Sequence, residues 1–292
     1  MSQQDLPAAL ELGVLHAPLL VFGGPYSNLE ATRAMRHIAA KLGIPAQQCI
    51  CTGDLVAYCA DPVATVEEIR DWGVHLVMGN CEASLAYYAE DCGCGFEAGS
   101  SCDLLSGQWF RYAGARVGTE TRQWMAQLPR RLGFTLNGLR LAVVHGGATQ
   151  INRFLFASQP ANDFLQELDL LDVDGVLAGH CGLPYTRQVD GYLWHNAGVI
   201  GMPANDGSSQ TWYSLLQRAG AGRLRISHHR LSYDVSVAAR KMVAAGLTGG
   251  YDRTLLSGLW PSLDVLPQRE KRDTGHPLHC AESIWPKIMG SE

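Results

Sequence analysis

Cys49-Ile50-Cys51-Thr52-Gly53-Asp54-Leu55-Val56 is the stretch that decides how this chain folds. A short apolar run closed by Gly-Asp reads as a strand that delivers a carboxylate to the C-terminal edge of a sheet, the edge where open α/β folds hold ligands. One Gly-Asp is an ordinary turn pair. Three further apolar runs close the same way: Val77-Met78-Gly79-Asn80, Val143-Val144-His145-Gly146 and Val176-Leu177-Ala178-Gly179-His180. Asp, Asn, His and His are thus presented by one repeated layout, which independent turns are hard pressed to produce.

Outward from this stretch the chain alternates strands and helices. Pro18 to Phe22 is an apolar strand stopped by Gly23-Gly24-Pro25, and Asn28 caps a helix that carries Glu30 in its first turn and runs to about Lys41. Gln48 to Thr52 is the second strand. Asp61-Pro62 opens a helix with Val63, Val66 and Ile69 on its buried stripe, and His75 to Met78 is the third strand. This β-α-β-α-β order predicts a layered sheet covered by helices. Helices are expected over Glu82 to Ala89 and Thr119 to Leu128, the latter ended by Pro129. Asn137-Gly138 joins Phe134–Leu136 to Leu139–Val144 as a hairpin, because Asn-Gly favours the type I′ turn. A helix over Ala161 to Leu168 and strands over Val173–Ala178, Tyr192–His195, Trp212–Gln217 and Arg223–Leu231 make the second half read as a second sheet packed on the first. From Ser232 the texture changes to a helix over Val235 to Ala245 and a tail containing Pro, Trp and charges, an appendage on the core.

A chain of 292 residues can bury one large core, or one core plus an appendage. Its net charge of −5, with no basic cluster, argues against nucleic acid as a partner. No apolar stretch reaches membrane-spanning length, and Met1-Ser2-Gln3-Gln4-Asp5 lacks the charged start and apolar middle of a signal peptide, so a cytoplasmic protein without a membrane partner is expected. Nine cysteines is a high and odd count, which in a reducing compartment predicts thiols rather than a disulfide framework. Cys92-Gly93-Cys94 with Cys102 lacks the Cys-x-x-Cys spacing of a zinc knuckle and reads as a structural loop. Cys49, Cys51 and Cys280 read as small buried residues. Cys81 and Cys181 each adjoin a candidate ligand, where a thiol either fills space or binds a soft metal or does redox chemistry.

Asp, Asn and His together suit one divalent transition ion such as Mn²⁺, Fe²⁺ or Zn²⁺. Their order along the chain, with Ser27-Asn28-Leu29-Glu30-Ala31 after the first strand, resembles the calcineurin-like metallophosphoesterases over about Leu19 to Leu216. The resemblance implies an α/β fold of two packed mixed β-sheets flanked by helices, a four-layer sandwich. It implies a phosphoesterase domain over 15–232, followed by a helical extension over 233–292 packed on the core. It also exposes departures. The family's Asp-x-His falls on Gly24-Pro25-Tyr26, its Gly-Asn-His-(Asp/Glu) on Gly79-Asn80-Cys81-Glu82, and its Gly-His-x-His on Gly179-His180-Cys181-Gly182. Every ligand unique to one ion is gone, while Asp54, Asn80, His145 and His180, the set for the other ion, remain.

Random decay would not be expected to spare one complete half-site, so a one-metal site follows. Tyr26 then stands in the emptied ion's region with a hydroxyl for a phosphate oxygen, or simply packs its ring. Asn28, and Asn196 in His195-Asn196-Ala197-Gly198 at the position of the family's Asn-Pro-Gly loop, are further candidates for substrate contact. Cys81 stands where the family places the histidine that assists the leaving group, and with Glu82 as a proton carrier it completes the catalytic candidates. The resemblance implies hydrolysis of a phosphomonoester or phosphodiester, on a phosphorylated small molecule, by a water that the ion activates. The other readings are a binding protein that takes a metal or phosphate ligand without turnover, and thiol or redox chemistry beside the ion. Reinstating the lost ligands with Gly24→Asp, Tyr26→His and Gly182→His is expected to add a second ion, unless Gly23 and Pro25 fix a backbone that cannot aim them.

Overall fold

The computed structural model describes residues 6–286. The signal-peptide reading at residues 1–5 and the end of the expected extension, residues 287–292, lie outside the described residues. In chain order the strands are β1 (Leu10–Leu15), β2 (Leu19–Phe22), β3 (Cys49–Cys51), β4 (His75–Leu76), β5 (Arg131–Leu136), β6 (Leu139–Val144), β7 (Gly175–Ala178), β8 (Tyr185–Val189), β9 (Tyr192–Asn196), β10 (Thr211–Arg218), β11 (Leu224–Leu231) and β12 (Ser283–Trp285). The helices are α1 (Leu29–Lys41), α2 (Pro62–Trp72), α3 (Asn80–Ala86), α4 (Ser101–Gly114), α5 (Thr119–Ala126), α6 (Ala161–Leu171), α7 (Val235–Ala244), α8 (Tyr251–Ser257) and α9 (Gln268–Arg272).

Among the described residues the strands form two mixed six-stranded sheets, ordered β1-β5-β6-β7-β9-β8 and β12-β11-β10-β2-β3-β4. This is the expected α/β sandwich. The division of strands differs from the reading of a first-half and a second-half sheet. β10 and β11 return to the first sheet, with Ser214 paired to Val21, and β1 crosses to the second, with Leu10 paired to Leu132. β1 escaped notice because it is an edge strand with five of its six residues exposed or half-buried, so no apolar alternation marks it. The tail is not wholly helical either, since β12 pairs antiparallel with β11.

Period-two alternation explains why these strands are apolar on both faces. In β2, Leu19 and Val21 face the space between the sheets, where they meet Ile50, Val143, Leu177, Leu193 and Trp285. Leu20 and Phe22 point the other way, into a cluster with Met35 of α1 and with Val66, Ile69 and Trp72 of α2. Phe22 stacks on Trp72 at 5.3 Å between ring centroids. In the second sheet Ala142, Val144, Val176 and Ala178 face α6, against Phe164 and Leu168. The two sheets are thereby sealed to each other and each to its own helices. The loops at the C-terminal ends of β3, β6 and β7, with the start of α3 after β4, converge at one edge of the sandwich.

Asn28 caps α1 with its Oδ1 accepting from the Ala31 N–H at 3.1 Å, and Asn137 and Gly138 both take the positive φ of a type I′ turn. The thiol expectation needs one correction: Cys92 and Cys94 are joined as a disulfide, while the other seven cysteines are free. No described helix is long and apolar enough to cross a membrane.

Candidate metal centre

Three peptide geometries aim the ligands. Asp54 has φ of 56° and His180 has φ of 60°, left-handed values uncommon for residues with a Cβ. Gly53 must remain glycine. Its φ is +96°, and a Cβ there would lie 2.8 Å from both the Gly79 N and His145 Nδ1. Gly79 is equally constrained, because a Cβ would collide with Asp54. The Gly-Asp and Gly-Asn pairs are therefore two backbones pressed together so that their second residues share one site.

His145 follows β6 directly, and its Nδ1 lies 2.6 Å from the Thr52 carbonyl oxygen. A carbonyl only accepts, so Nδ1 carries a proton and the Nε2 side faces the centre. Around that Nε2 stand Asn80 Oδ1 at 3.0 Å, Asp54 Oδ2 at 3.2 Å and His180 Nδ1 at 3.2 Å. The Asn80 amide is oriented by its Nδ2, which donates to the Cys92 carbonyl at 2.9 Å. Ligand atoms of Asp54, His145 and His180 lie within 4.8 Å of one another, all buried. His180 Nε2 is buried and has no partner among the described residues. Four lone-pair donors around one point fit a divalent ion of the Mn, Fe or Zn type.

The electrostatics point the same way. Burial pushes the Asp54 carboxyl up, but the charge and hydrogen bond of His145, with help from His180 and the Cys81 N–H, hold it below the ordinary carboxylate range. Burial opposes charge on His145 too, and Asp54 overcomes it, so the imidazole is held above its usual value. Burial and the neighbouring His145 drive His180 down to about 3. Asp54 is thus held anionic and His180 neutral, while His145 is biased towards its protonated form and gives up the Nε2 proton when a cation takes its place.

Glu82 supports this centre from behind. Its Oε2 accepts from the N–H groups of Asp54 at 2.8 Å and Gly79 at 2.9 Å, and its Oε1 from those of Leu55 at 2.8 Å and Val56 at 3.3 Å. Both oxygens are spent on backbone, and the side chain is fully buried. Burial, and then the Asp54 charge, push its carboxyl up to about 7. Cys81 binds Asp54 through its backbone N–H at 3.1 Å. Burial, Asp54 and Glu82 push its thiol well above the ordinary value, so it stays protonated.

The structure gathers Asp54, Asn80, His145 and His180 as expected from the resemblance, and brings Tyr26 to the same pocket wall. Asn28 and Asn196 do not line this pocket. Asn28 spends its side chain on the α1 cap and on the Gly201 carbonyl, 3.0 Å away. Asn196 braces the His180 loop, donating to the Gly179 carbonyl at 2.7 Å and accepting from the Gly198 N–H at 3.0 Å. Phe154, Tyr251 and Trp260, by contrast, went unread. Phe154 packs over His180 with 4.1 Å between ring centroids, and no spacing rule links an aromatic in an irregular loop to a ligand twenty-six residues on.

A family model described as the calcineurin-like phosphoesterase superfamily domain matches residues 25–217. The uncharacterized protein MJ0912 of Methanocaldococcus jannaschii is 24% identical over 248 residues, covering 77% of this chain and 91% of that protein. The crystal structure of hypothetical protein PH1004 from Pyrococcus horikoshii OT3 superposes with a TM-score of 0.70 at 15% identity, over 84% of this chain and 99% of the other. A metallophosphoesterase from Sphaerobacter thermophilus superposes with a TM-score of 0.64 at 19% identity, over 84% of this chain and 100% of the other. At these identities the structural likenesses speak for the fold.

Proposed function

Because the chain belongs to the calcineurin-like phosphoesterase superfamily, we propose that it hydrolyses a phosphate ester of a small molecule with the help of one divalent ion. The observation that carries this is the ring of Asp54, Asn80 and His180 donors around His145 Nε2. When bound, the ion supplies stabilisation of phosphate negative charge and a lowered pKa for water. Asp54 contributes the anionic ligand. The Thr52 carbonyl fixes the His145 tautomer, an outer contact of the kind that aligns metal-binding imidazoles. Glu82 holds the Asp54 and Gly79 backbones at their close approach. The Tyr26 hydroxyl is the side-chain donor offered to a phosphate oxygen from the pocket wall.

A second reading has its own support. Glu82 has no free oxygen and Cys81 holds its proton tightly, so neither is poised to protonate a leaving group. A slow hydrolase, or a protein that binds a phosphate ligand without turning it over, follows from that. The test is elemental analysis of the purified chain, with turnover of bis(p-nitrophenyl) phosphate and p-nitrophenyl phosphate. Metal with turnover that vanishes in Asp54→Ala supports the enzyme. Metal without turnover selects the binding protein, and a metal-free chain that takes up none on titration overturns both.

A further inference from the structure

The pocket above Asp54 and His180 opens to solvent, has a cavity volume of about 60 Å³ and is walled by six aromatic side chains: Tyr26, Tyr58, Phe96, Phe154, Tyr251 and Trp260. Neither lysine nor arginine lines it, and Asp54 is the one carboxylate in the wall. This is an unusual setting for phosphate, which proteins commonly meet with Arg or Lys. Two of the rings come from beyond the family-matched residues 25–217. Tyr251 opens α8 and packs on Tyr58 at 4.4 Å between centroids, and Tyr58 meets Tyr26 edge-on at 4.8 Å. Trp260 is pinned by its Nε1, which donates to the Pro203 carbonyl at 2.7 Å, and by its N–H, which donates to Asn205 Oδ1 at 2.9 Å. Its indole covers Gly182, where a Cβ would touch the ring at 3.4 Å. Tyr26 and Gly182 both stand where the resemblance expects ligand residues, so aromatic surface fills that side of the site.

We propose that this wall selects the substrate: a singly charged phosphate ester whose organic group is flat and aromatic, held between Trp260 and the Tyr58–Tyr251 pair. The proposal rests on the metal-centre reading for the charge and on the lining alone for the ring. A divalent ion offset by Asp54 leaves one positive charge, which matches a diester monoanion and undercompensates a monoester dianion. With no Arg or Lys to make up the difference, a second negative charge would enter a largely apolar space. A flat ring suits the remaining walls, which offer faces and edges for stacking and few polar atoms to satisfy.

The test is calorimetric titration of the full chain loaded with Mn²⁺, using three slowly hydrolysed probes at pH 8.5. Phenyl methylphosphonate is an aromatic monoanion, phenylphosphonate an aromatic dianion and dimethyl phosphate a monoanion without a ring. Phenyl methylphosphonate is expected to bind roughly tenfold or more tightly than dimethyl phosphate, as burial and stacking of one ring would give. Phenylphosphonate is expected to gain nothing from its second charge. Trp260→Leu and Tyr251→Leu should each bring the aromatic preference towards unity with Mn²⁺ affinity kept, and Trp260→Phe should retain most of it. Equal binding of the two monoanions, or tightest binding of the dianion, would overturn the proposal. So would a preference untouched by both leucine variants. Mn²⁺ uptake is titrated first and separately. If the chain takes none, the metal-centre reading fails. The wall is then judged on the metal-free chain by tryptophan quenching with p-nitrophenol, where quenching lost in Trp260→Leu keeps the wall and absence of quenching sinks it.

Discussion

Glu82 carries a carboxylate into the interior with four backbone N–H groups around it and no salt bridge to it among the described residues. Replacement by Gln keeps the shape but turns an NH₂ group towards two N–H donors, leaving all of them unsatisfied. Glu82→Gln is therefore expected to lose about 3 kcal/mol of stability in urea denaturation and to weaken metal binding together with it. Unchanged stability with lost turnover would instead make Glu82 a proton carrier. The ligands themselves should behave differently. Asp54→Ala removes the sole anionic ligand, and its metal affinity in calorimetric titration should fall beyond the roughly 100-fold seen for outer contacts, with the circular dichroism spectrum unchanged. His180→Ala should follow it. Reinstating Asp at Gly24 is expected to fail even with Tyr26→His and Gly182→His beside it. Gly24 has φ of +42°, and its Cβ would stand 2.7 Å from Val199 Cγ1, a neighbour that the triple variant leaves in place. Metal counting on that variant should find one ion, and a count of two would show that the backbone can move.

Between the sheets, β9 and β11 bring two histidines together with ring centroids 4.9 Å apart. His195 binds Thr186 Oγ1 at 2.9 Å through Nδ1, and His228 binds the Asn196 carbonyl at 3.0 Å through Nε2. Their other ring nitrogens are buried without partners. Burial, and then His229, push His228 down to about 4, and burial with His228 lowers His195 well below its usual value. In the unfolded chain such a group protonates near 6.5. Below that pH the unfolded state takes the proton first, so stability is intact above 6.5 and falls as pH drops towards 4, by about 3 kcal/mol at most for His228. Urea midpoints across this window should show the fall, and His228→Phe should remove the share of it that belongs to His228, leaving that of His195 and His180. The elements carrying the site were legible because two-sided burial leaves continuous apolar runs such as Leu141–Val144 and Val176–Ala178, each leading to its ligand. β8 was not, since three of its five residues, Thr186, Arg187 and Gln188, are only half-buried and polar. α4 escaped because its capping Ser100 sits in a Gly- and Ser-rich run that reads as loop, although its Oγ accepts from the Asp103 N–H at 3.2 Å.

At the scale of the molecule, the segment after β11 binds both sheets. β12 extends one of them, and the Trp285 Nε1 donates to the Gly191 carbonyl, 2.8 Å away at the β8–β9 turn of the other. Trp285 is 1% exposed in the inter-sheet core. Trp285→Ala should then cost about 3–5 kcal/mol, measured as a drop in the urea midpoint, because it empties a core position and unties the sheets together. None of this was legible beforehand: a lone Trp in a polar tail carries no periodicity, and long-range contact is the one quantity local pattern does not encode. The pairing of Ser214 with Val21 has a consequence in time. A strand made early waits for one made nearly two hundred residues later, and Tyr251 and Trp260 reach the pocket later still. On a ribosome the ligand-bearing loops emerge long before their walls, and until β10 pairs with β2 the sheet that aims Asp54 is unfinished. Ion choice is then decided after release, by what the finished protein exchanges, and a pulse of labelled metal should enter completed chains and not nascent ones.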